Sequence, residues 1–100
     1  MNFSQQYDTT IRDLEEKLGA LIDEGAEFDI ERKGDVLNIE FEDGEKIVIT
    51  PQAPLEQLWV SADYAGHRFR WNDGWTNEKD GMAIQDFLNN ILERRIGKTL

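Results

Sequence analysis

The sequence contains no cysteine, and His67 is its only histidine. Without cysteine there can be no disulfide, no thiolate metal site and no cysteine nucleophile. A single histidine likewise excludes a multi-histidine metal site and a proton relay between two histidines. Serine occurs only at Ser4 and Ser61, outside any nucleophile-elbow pattern, and there is no glycine-rich phosphate loop. These absences argue against a self-sufficient enzyme.

Basic residues are also scarce. The chain has 11 Lys and Arg against 21 Asp and Glu, which leaves a formal net charge of −10. A chain this acidic is not expected to bind nucleic acid, because it cannot neutralise a phosphate backbone. No apolar run approaches the roughly 20 residues that a membrane-spanning helix requires, so no membrane span is expected.

The length and the N-terminal residues bound the organisation of the chain. With 100 residues, 39% of them hydrophobic, we predict a single domain over residues 1–100. The N-terminus has neither the basic region of a secretory signal nor an arginine-rich transit segment. We therefore expect the protein to remain where it is made, unless a targeting segment was removed beforehand.

Hydrophobic periodicity predicts a helix at the start of the chain that stops near Gly25. Its apolar stripe recurs at spacings of three and four and consists of Phe3, Tyr7, Ile11, Leu14, Leu18, Leu21 and Ile22. The rest of its surface is largely acidic, with Asp8, Asp13, Glu15, Glu16, Asp23 and Glu24. Arg12 lies four residues from both Asp8 and Glu16, a spacing that favours ion pairing along the helix.

After the helix the pattern changes to alternation, which indicates strands. We predict strands at 27–31, 36–42, 46–50, 57–61, 66–71 and 75–77, with an irregular connection bracketed by Pro51 and Pro54. A three-residue loop ending at Gly44 is preferred between the second and third strands. It keeps the apolar sets together, because it pairs Ile39 with Ile47 and Leu37 with Ile49.

A second helix is predicted over about residues 82–96, with Asp80 as a candidate N-cap and Gly97 at its end. Its apolar face consists of Ile84, Phe87, Leu88 and Ile91. The order of helix, strand meander and helix predicts the α+β class. We expect an α–β sandwich, in which an antiparallel sheet of five to six strands carries the N- and C-terminal helices on one face.

The first candidate surface is acidic. Residues 1–45 hold 14 acids and 4 bases, whereas residues 46–100 hold seven of each. If the outer side of the first helix and the solvent face of the first strand lie side by side, they form an acidic ridge. Carboxylates without nitrogen or sulfur partners suit hard cations such as iron, Mn²⁺, Mg²⁺ or Ca²⁺. The candidate ligands are Glu16, Asp23, Glu24, Glu27, Asp29 and Glu31. The alternative is a solvated negative surface that steers basic partners.

The second candidate surface surrounds Trp59. Leu58 and Val60 belong to the core, so strand alternation turns Trp59 to the opposite face of the sheet. The same argument applied to Phe69 places Arg68 and Arg70 on that outer face. A tryptophan held open to solvent beside an arginine and amides has the composition of an interface hot spot. The alternative is that a loop or another layer buries it. His67 is expected to pack near the sheet edge rather than to bind metal.

Several stretches resemble the frataxin family. Residues 35–49, DVLNIEFEDGEKIVI, are similar to that family's second and third strands. The run PQAPLEQLW at residues 51–59 resembles its most characteristic motif, in which two glutamines and a proline lead to a tryptophan. Gly66, Arg68, Phe69, Trp75 and Asp80-Gly81 continue the match towards the last helix. The resemblance covers nearly the whole chain, and the short ends look like those of a bacterial member.

The resemblance implies iron (Fe²⁺ or Fe³⁺) bound weakly at the acidic first helix and first strand. It also implies docking on a cysteine desulfurase and on the iron–sulfur scaffold protein, with regulation of cluster assembly by iron supply. By position, Gln52, Gln57, Trp59 and Arg68 fall on the family's partner-binding sheet face. A cytoplasmic monomer is expected, with iron-dependent oligomers a further option; a removed transit peptide would instead imply the mitochondrial matrix.

The sequence departs from the family pattern in two places. Thr50 stands where the family usually has an asparagine, and Pro51 where it usually has a basic residue, so the scaffold contact is not carried over there. Arg12 and Lys17 interrupt the acidic helix, so the number of iron sites is not carried over from the family either. Two other functions stay open: ferroxidase or iron-storage activity at the acidic ridge, and an acidic nucleic-acid mimic that binds a basic protein cleft.

Overall fold

The computed structural model describes residues 2–100. Helix α1 spans Phe3–Asp23 and begins with a capping box, in which the side chains of Asn2 and Gln5 each accept the other's backbone N–H. The predicted apolar stripe is the buried face of this helix, from Tyr7 to Leu21. Gly25 follows the helix with φ +100°, a conformation that only glycine adopts without strain.

The sheet has six antiparallel strands in chain order, so each strand is hydrogen-bonded to its neighbours in the sequence. The strands are β1 (Phe28–Lys33), β2 (Val36–Phe41), β3 (Lys46–Gln52), β4 (Gln57–Ala62), β5 (Ala65–Trp71) and β6 (Trp75–Asn77). This meander leaves β1 and β6 as the two edges. The predicted number and order of strands are confirmed.

The register between β2 and β3 is the predicted one. Ile39 lies opposite Ile47 and Leu37 opposite Ile49. The backbone N–H of Phe41 donates to the carbonyl of Glu45, which closes a three-residue loop with Gly44 at φ +88°. A shift by one residue would have moved the buried Ile47 and Ile49 to the outer face.

The prediction of an irregular connection starting at Pro51 is wrong. Strand β3 continues through Pro51, which pairs with Leu58, and only Ala53–Leu55 forms a short 3₁₀ turn. Proline lacks a backbone N–H and is tolerated in a strand where no second neighbour needs that donor. The pairing of β3 with β2 reaches only to Ile49, so Pro51 lies where β3 has one neighbouring strand instead of two.

The start of the second helix also differs from the prediction. Helix α2 spans Ile84–Ile96 and its N-cap is Ala83, not Asp80. The carboxylate of Asp80 instead accepts the backbone N–H of Met82 at 2.9 Å, while the N–H of Asn77 donates to the carbonyl of Met82 at 2.8 Å. These bonds hold residues 77–82 in a turn against β6 and delay the helix. Gly97 ends it at φ +69°, as predicted.

Both helices pack on one face of the sheet and bury a single core, which confirms the α–β sandwich. The indole N–H of Trp75 donates to the hydroxyl of Thr10 at 2.8 Å and ties β6 to α1. His67 shares the helix-covered face and packs its ring against Phe87, with 4.6 Å between the ring centroids. Within residues 2–100, neither helix has the length and apolar character needed to cross a bilayer.

Candidate functional site

The outer face of the sheet, opposite the two helices, carries Trp59. Leu58 and Val60 are fully buried on the helix side, and the alternation of β4 therefore turns Trp59 outward. Its neighbours across the sheet are Thr50 on β3 and Arg68 on β5. The predicted side of the sheet is confirmed for both Trp59 and Arg68.

The prediction that Trp59 is held open to solvent is wrong, because its side chain is half-buried. The guanidinium of Arg68 lies over the indole, 5.1 Å from the ring centroid. A guanidinium over an aromatic face is attracted by the ring quadrupole and covers that face. The indole N–H donates to Oε1 of Gln57 at 2.8 Å, which ties the ring along its own strand.

Gln57 is on the outer face but only 5% exposed. Its carboxamide lies between the indole of Trp59 and the carboxylate of Glu78, and its Nε2 donates to Oε1 of Glu78 at 2.9 Å. Both the oxygen and the nitrogen of the carboxamide therefore have hydrogen-bond partners within the chain. Gln52, directly across from Gln57 on β3, is half-buried and lies at the same end of the face.

Strand alternation predicted that Arg70 lies on this face, whereas the sequence analysis did not identify Glu78. Arg70 donates from Nε to Oε1 of Glu78 at 2.8 Å, and this hydrogen bond lowers the pKa of the Glu78 carboxyl. Arg70 lies directly opposite Gln57, which confirms its predicted side of the sheet. Glu78 follows the last strand and shows no periodicity, so no local signal marks it. We call Gln57, Trp59, Arg68, Arg70 and Glu78 the Trp59 patch.

A partly apolar hollow of about 230 Å³ adjoins the Trp59 patch. Trp59 and Arg68 form one wall, and Val48, Thr50, Ser61 and Gly66 line the rest. The hollow is large enough for one aliphatic side chain of a partner and is lined on one side by the tryptophan ring. The patch therefore offers both a rigid aromatic surface and a recess beside it.

The helical half of the acidic ridge is partly neutralised. Asp8 pairs with Arg12 at 3.1 Å and with Arg32 of β1 at 3.2 Å, and Arg32 also reaches Glu15 at 3.4 Å. Lys17 pairs with Asp13 at 3.1 Å.

In contrast, no basic group of residues 2–100 lies within ion-pair distance of Glu16 or Asp23. The unneutralised charge of α1 therefore lies towards its C-terminal half.

The strand half of the ridge faces a different direction. In β1, Phe28 is buried and Arg32 contacts α1, so alternation points Asp29 and Glu31 to the outer sheet face.

Further acidic side chains lie near this part of β1. Asp29 lies directly opposite Glu40 of β2. A hydrogen bond with the carboxyl of Glu27 raises the pKa of Glu42 at the same end. The ridge therefore continues around the edge strand onto the face that also carries Trp59.

All six predicted metal ligands are exposed to solvent. Two have basic neighbours: Glu24 lies 3.9 Å from Lys98, and Glu31 lies 3.4 Å from Lys33. Over residues 2–100, no three acidic or histidine side chains converge in a way that could hold a metal ion. Any cation held here would keep most of its water, because one or two carboxylates cannot complete its shell.

Comparison with known proteins decides the family. A family model described as a frataxin-like domain matches residues 1–98. The chain belongs to the frataxin-like family. The resemblance inferred from the strand and glutamine–tryptophan motifs is thereby confirmed.

Relatives of this frataxin-like chain are named iron–sulfur cluster assembly protein CyaY. The protein of that name from Shewanella baltica is 36% identical over 97 residues, which cover 95% of this chain and 89% of the relative. The one from Pseudoalteromonas atlantica is 37% identical over 97 residues, with the same coverage of 95% and 89%. A solved frataxin from Psychromonas ingrahamii superposes with a TM-score of 0.80 at 29% identity, covering 100% of this chain and 96% of that one.

Proposed function

We propose that this protein takes part in iron–sulfur cluster assembly as an iron-binding adaptor that regulates the process. It docks on a cysteine desulfurase and its scaffold protein, in the cytoplasm of a bacterium. The names of its relatives support the assembly role. The docking role rests on one observation: a tryptophan ring on an uncovered sheet face, held by a hydrogen bond and a guanidinium.

A ring held in this way suits recognition. Tryptophan is enriched among interface hot spots, and it buries a large area at a low entropic cost because only two torsions fix its ring. Trp59 has already lost its freedom in the unbound protein, since Gln57 and Arg68 fix it from two sides. A partner that covers the ring gains the buried area at a low entropic cost.

The acidic ridge supplies the second part of the proposal. Its exposed carboxylates attract a basic partner surface and increase the rate of encounter. They also suit iron carried as cargo, because carboxylate oxygens are hard donors and the open positions are filled by water. Exposed sites of this kind hold Fe²⁺ or Fe³⁺ weakly and release it readily.

The metal-binding part can be tested by NMR. Titration with Fe²⁺, Mn²⁺ or Co²⁺ is expected to broaden backbone signals between Asp8 and Glu31, centred on the six predicted ligands. The affinity should be micromolar or weaker for all three ions, since exposed oxygen ligands discriminate poorly among them. Ca²⁺, which broadens nothing by paramagnetism, serves as the diamagnetic control. Broadening confined to His67 would contradict a carboxylate site.

The docking part is tested by a pair of charge reversals. Glu16→Lys, at the unneutralised end of α1, is expected to slow association with the desulfurase severalfold at low salt, since charge steering acts on encounter. Glu93→Lys is the matched control, because Glu93 is also an exposed helical glutamate but lies on α2. Stopped-flow association at several salt concentrations measures the difference, which should shrink as salt screens the charges.

Other outcomes would favour the competing functions. Equal association rates for the two variants would contradict steering by the acidic ridge, and failure of the wild type to bind a desulfurase or scaffold would overturn the adaptor proposal. If the protein instead catalysed a saturable oxidation of Fe²⁺ by O₂, that activity would indicate a ferroxidase. Capture of a DNA-binding protein that nucleic acid displaces would indicate a mimic.

A further inference from the structure

Three side chains form a hydrogen-bonded series that ends at the ring of Trp59. Glu78 accepts from Gln57 at 2.9 Å, and Gln57 accepts from the indole N–H of Trp59 at 2.8 Å. Gln57, the middle member, is 5% exposed, so water does not readily replace either of its partners. The series joins the turn after β6 to the centre of the outer sheet face.

The hydrogen-bonding chemistry of Glu78 and Trp59 fixes the orientation of the Gln57 carboxamide between them. A carboxylate can only accept hydrogen bonds, and an indole nitrogen can only donate one. The amide group of Gln57 must therefore point towards Glu78 and its carbonyl oxygen towards Trp59. If the carboxylate were removed, the amide could rotate and present N–H groups to the indole, which has no lone pair to accept them.

Glu78 itself is held from two further directions. Its side chain accepts from Nε of Arg70 at 2.8 Å, and its backbone N–H donates to the carbonyl of Arg68 at 2.9 Å. The side chain of Asn77, which is buried, accepts the backbone N–H of Lys79 at 2.8 Å and shapes the turn on either side of Glu78. The carboxylate is thus in place before any partner arrives.

We propose that Glu78 is a positioning residue, which orients Gln57 and through it fixes the indole of Trp59 on the sheet face. The residue touches no partner in this scheme; it acts on the geometry of the ring. The expected effect of Glu78 on docking rests on the proposed function, whereas its effect on the position of the Trp59 ring does not.

The first test measures the environment of the Trp59 indole directly. The indole N–H of Trp59 is followed by NMR in Glu78→Ala, with Trp75 as an internal reference because its indole bonds to Thr10 on the other side of the sheet. We expect the Trp59 signal to shift and its exchange with water to accelerate, while the Trp75 signal stays in place. Wild-type shift and exchange for Trp59 in Glu78→Ala would overturn the proposal.

Two further variants separate the hydrogen bond from charge. Glu78→Gln keeps an oxygen acceptor and is expected to restore the wild-type Trp59 signal. Glu93→Ala removes an exposed charge from α2 and is expected to leave that signal unchanged. A shift in Glu78→Gln as large as in Glu78→Ala, or a comparable shift in Glu93→Ala, would contradict positioning through the acceptor.

Partner affinity is measured on the same proteins. Glu78→Ala is expected to weaken binding to the desulfurase–scaffold complex by about threefold to tenfold, as for the loss of one hydrogen bond. A displaced Trp59 signal with wild-type affinity would support positioning by Glu78 and overturn the docking role of the ring. An undisturbed signal with weakened affinity would overturn positioning and leave the docking role supported.

Discussion

Trp59→Ala is expected to reduce affinity for the desulfurase–scaffold complex by about thirtyfold, the equivalent of roughly 2 kcal/mol for a hot-spot residue. The fold should lose far less than the roughly 3–5 kcal/mol that accompanies truncation of a buried tryptophan. Trp59 lies on the outer sheet face and is half-buried by side chains rather than by a second layer of structure. Its removal leaves no enclosed cavity, since solvent reaches the vacated space.

Calorimetric titration and urea unfolding on the same preparation measure the two effects. Trp59→Phe is the matched variant: it keeps a ring beneath Arg68 but cannot donate to Gln57. It should fall between the wild type and Trp59→Ala in affinity. Metal binding at the acidic ridge should be unchanged in both variants. A loss of stability in Trp59→Ala as large as that of a core variant would show that the ring belongs to the fold rather than to an interface.

Trp75→Ala is expected to lower the free energy of unfolding by about 3–5 kcal/mol, the range for truncating a large aromatic in the core. Trp75 is 3% exposed and packs edge-on against Phe3, with 5.8 Å between the ring centroids. Its indole also donates to Thr10, so the truncation removes a link between β6 and α1 as well as the packing. A loss of this size is a large part of the stability of a small domain.

Urea unfolding followed by far-ultraviolet circular dichroism measures this loss without relying on tryptophan fluorescence. Trp75→Phe keeps most of the packing and should cost clearly less. Under conditions in which Trp75→Ala remains folded, its affinity for the partner should match the wild type, since Trp75 is covered by α1. Equal stability of Trp59→Ala and Trp75→Ala would contradict the assignment of the two rings to opposite sides of the sheet.

Local patterns of sequence are sufficient for most of the fold. The 3.6-residue period of α1 and the alternation of β2 and β3 each bury one set of side chains, so only one register keeps those sets together. The predicted pairing of Leu37 with Ile49 follows from this constraint alone. The errors lie at the ends of elements: Pro51 pairs with Leu58 of β4 and so extends β3, and Asp80 accepts the N–H of Met82 in a turn instead of capping α2.

Within the candidate site, the amino-acid sequence determined which face each strand residue occupies. Alternation along β4 and β5 was enough to place Trp59 and Arg68 opposite the core, because a strand has only two faces. The acidic character of the first half of the chain is likewise a property of composition. The motif around Gln52 and Trp59 carried the family resemblance.

Only the tertiary structure decided how those side chains are covered and connected. Periodicity assigns a face but says nothing about what lies on it, so the burial of Gln57 and the partial burial of Trp59 could not be read from β4. Glu78 enters the patch from a turn 21 residues beyond Gln57 in the chain. The acids of β1 turn away from those of α1 because the inward residues of an edge strand must face the helix. Burial and long-range hydrogen bonds depend on the packing of whole elements, which no local window of sequence contains.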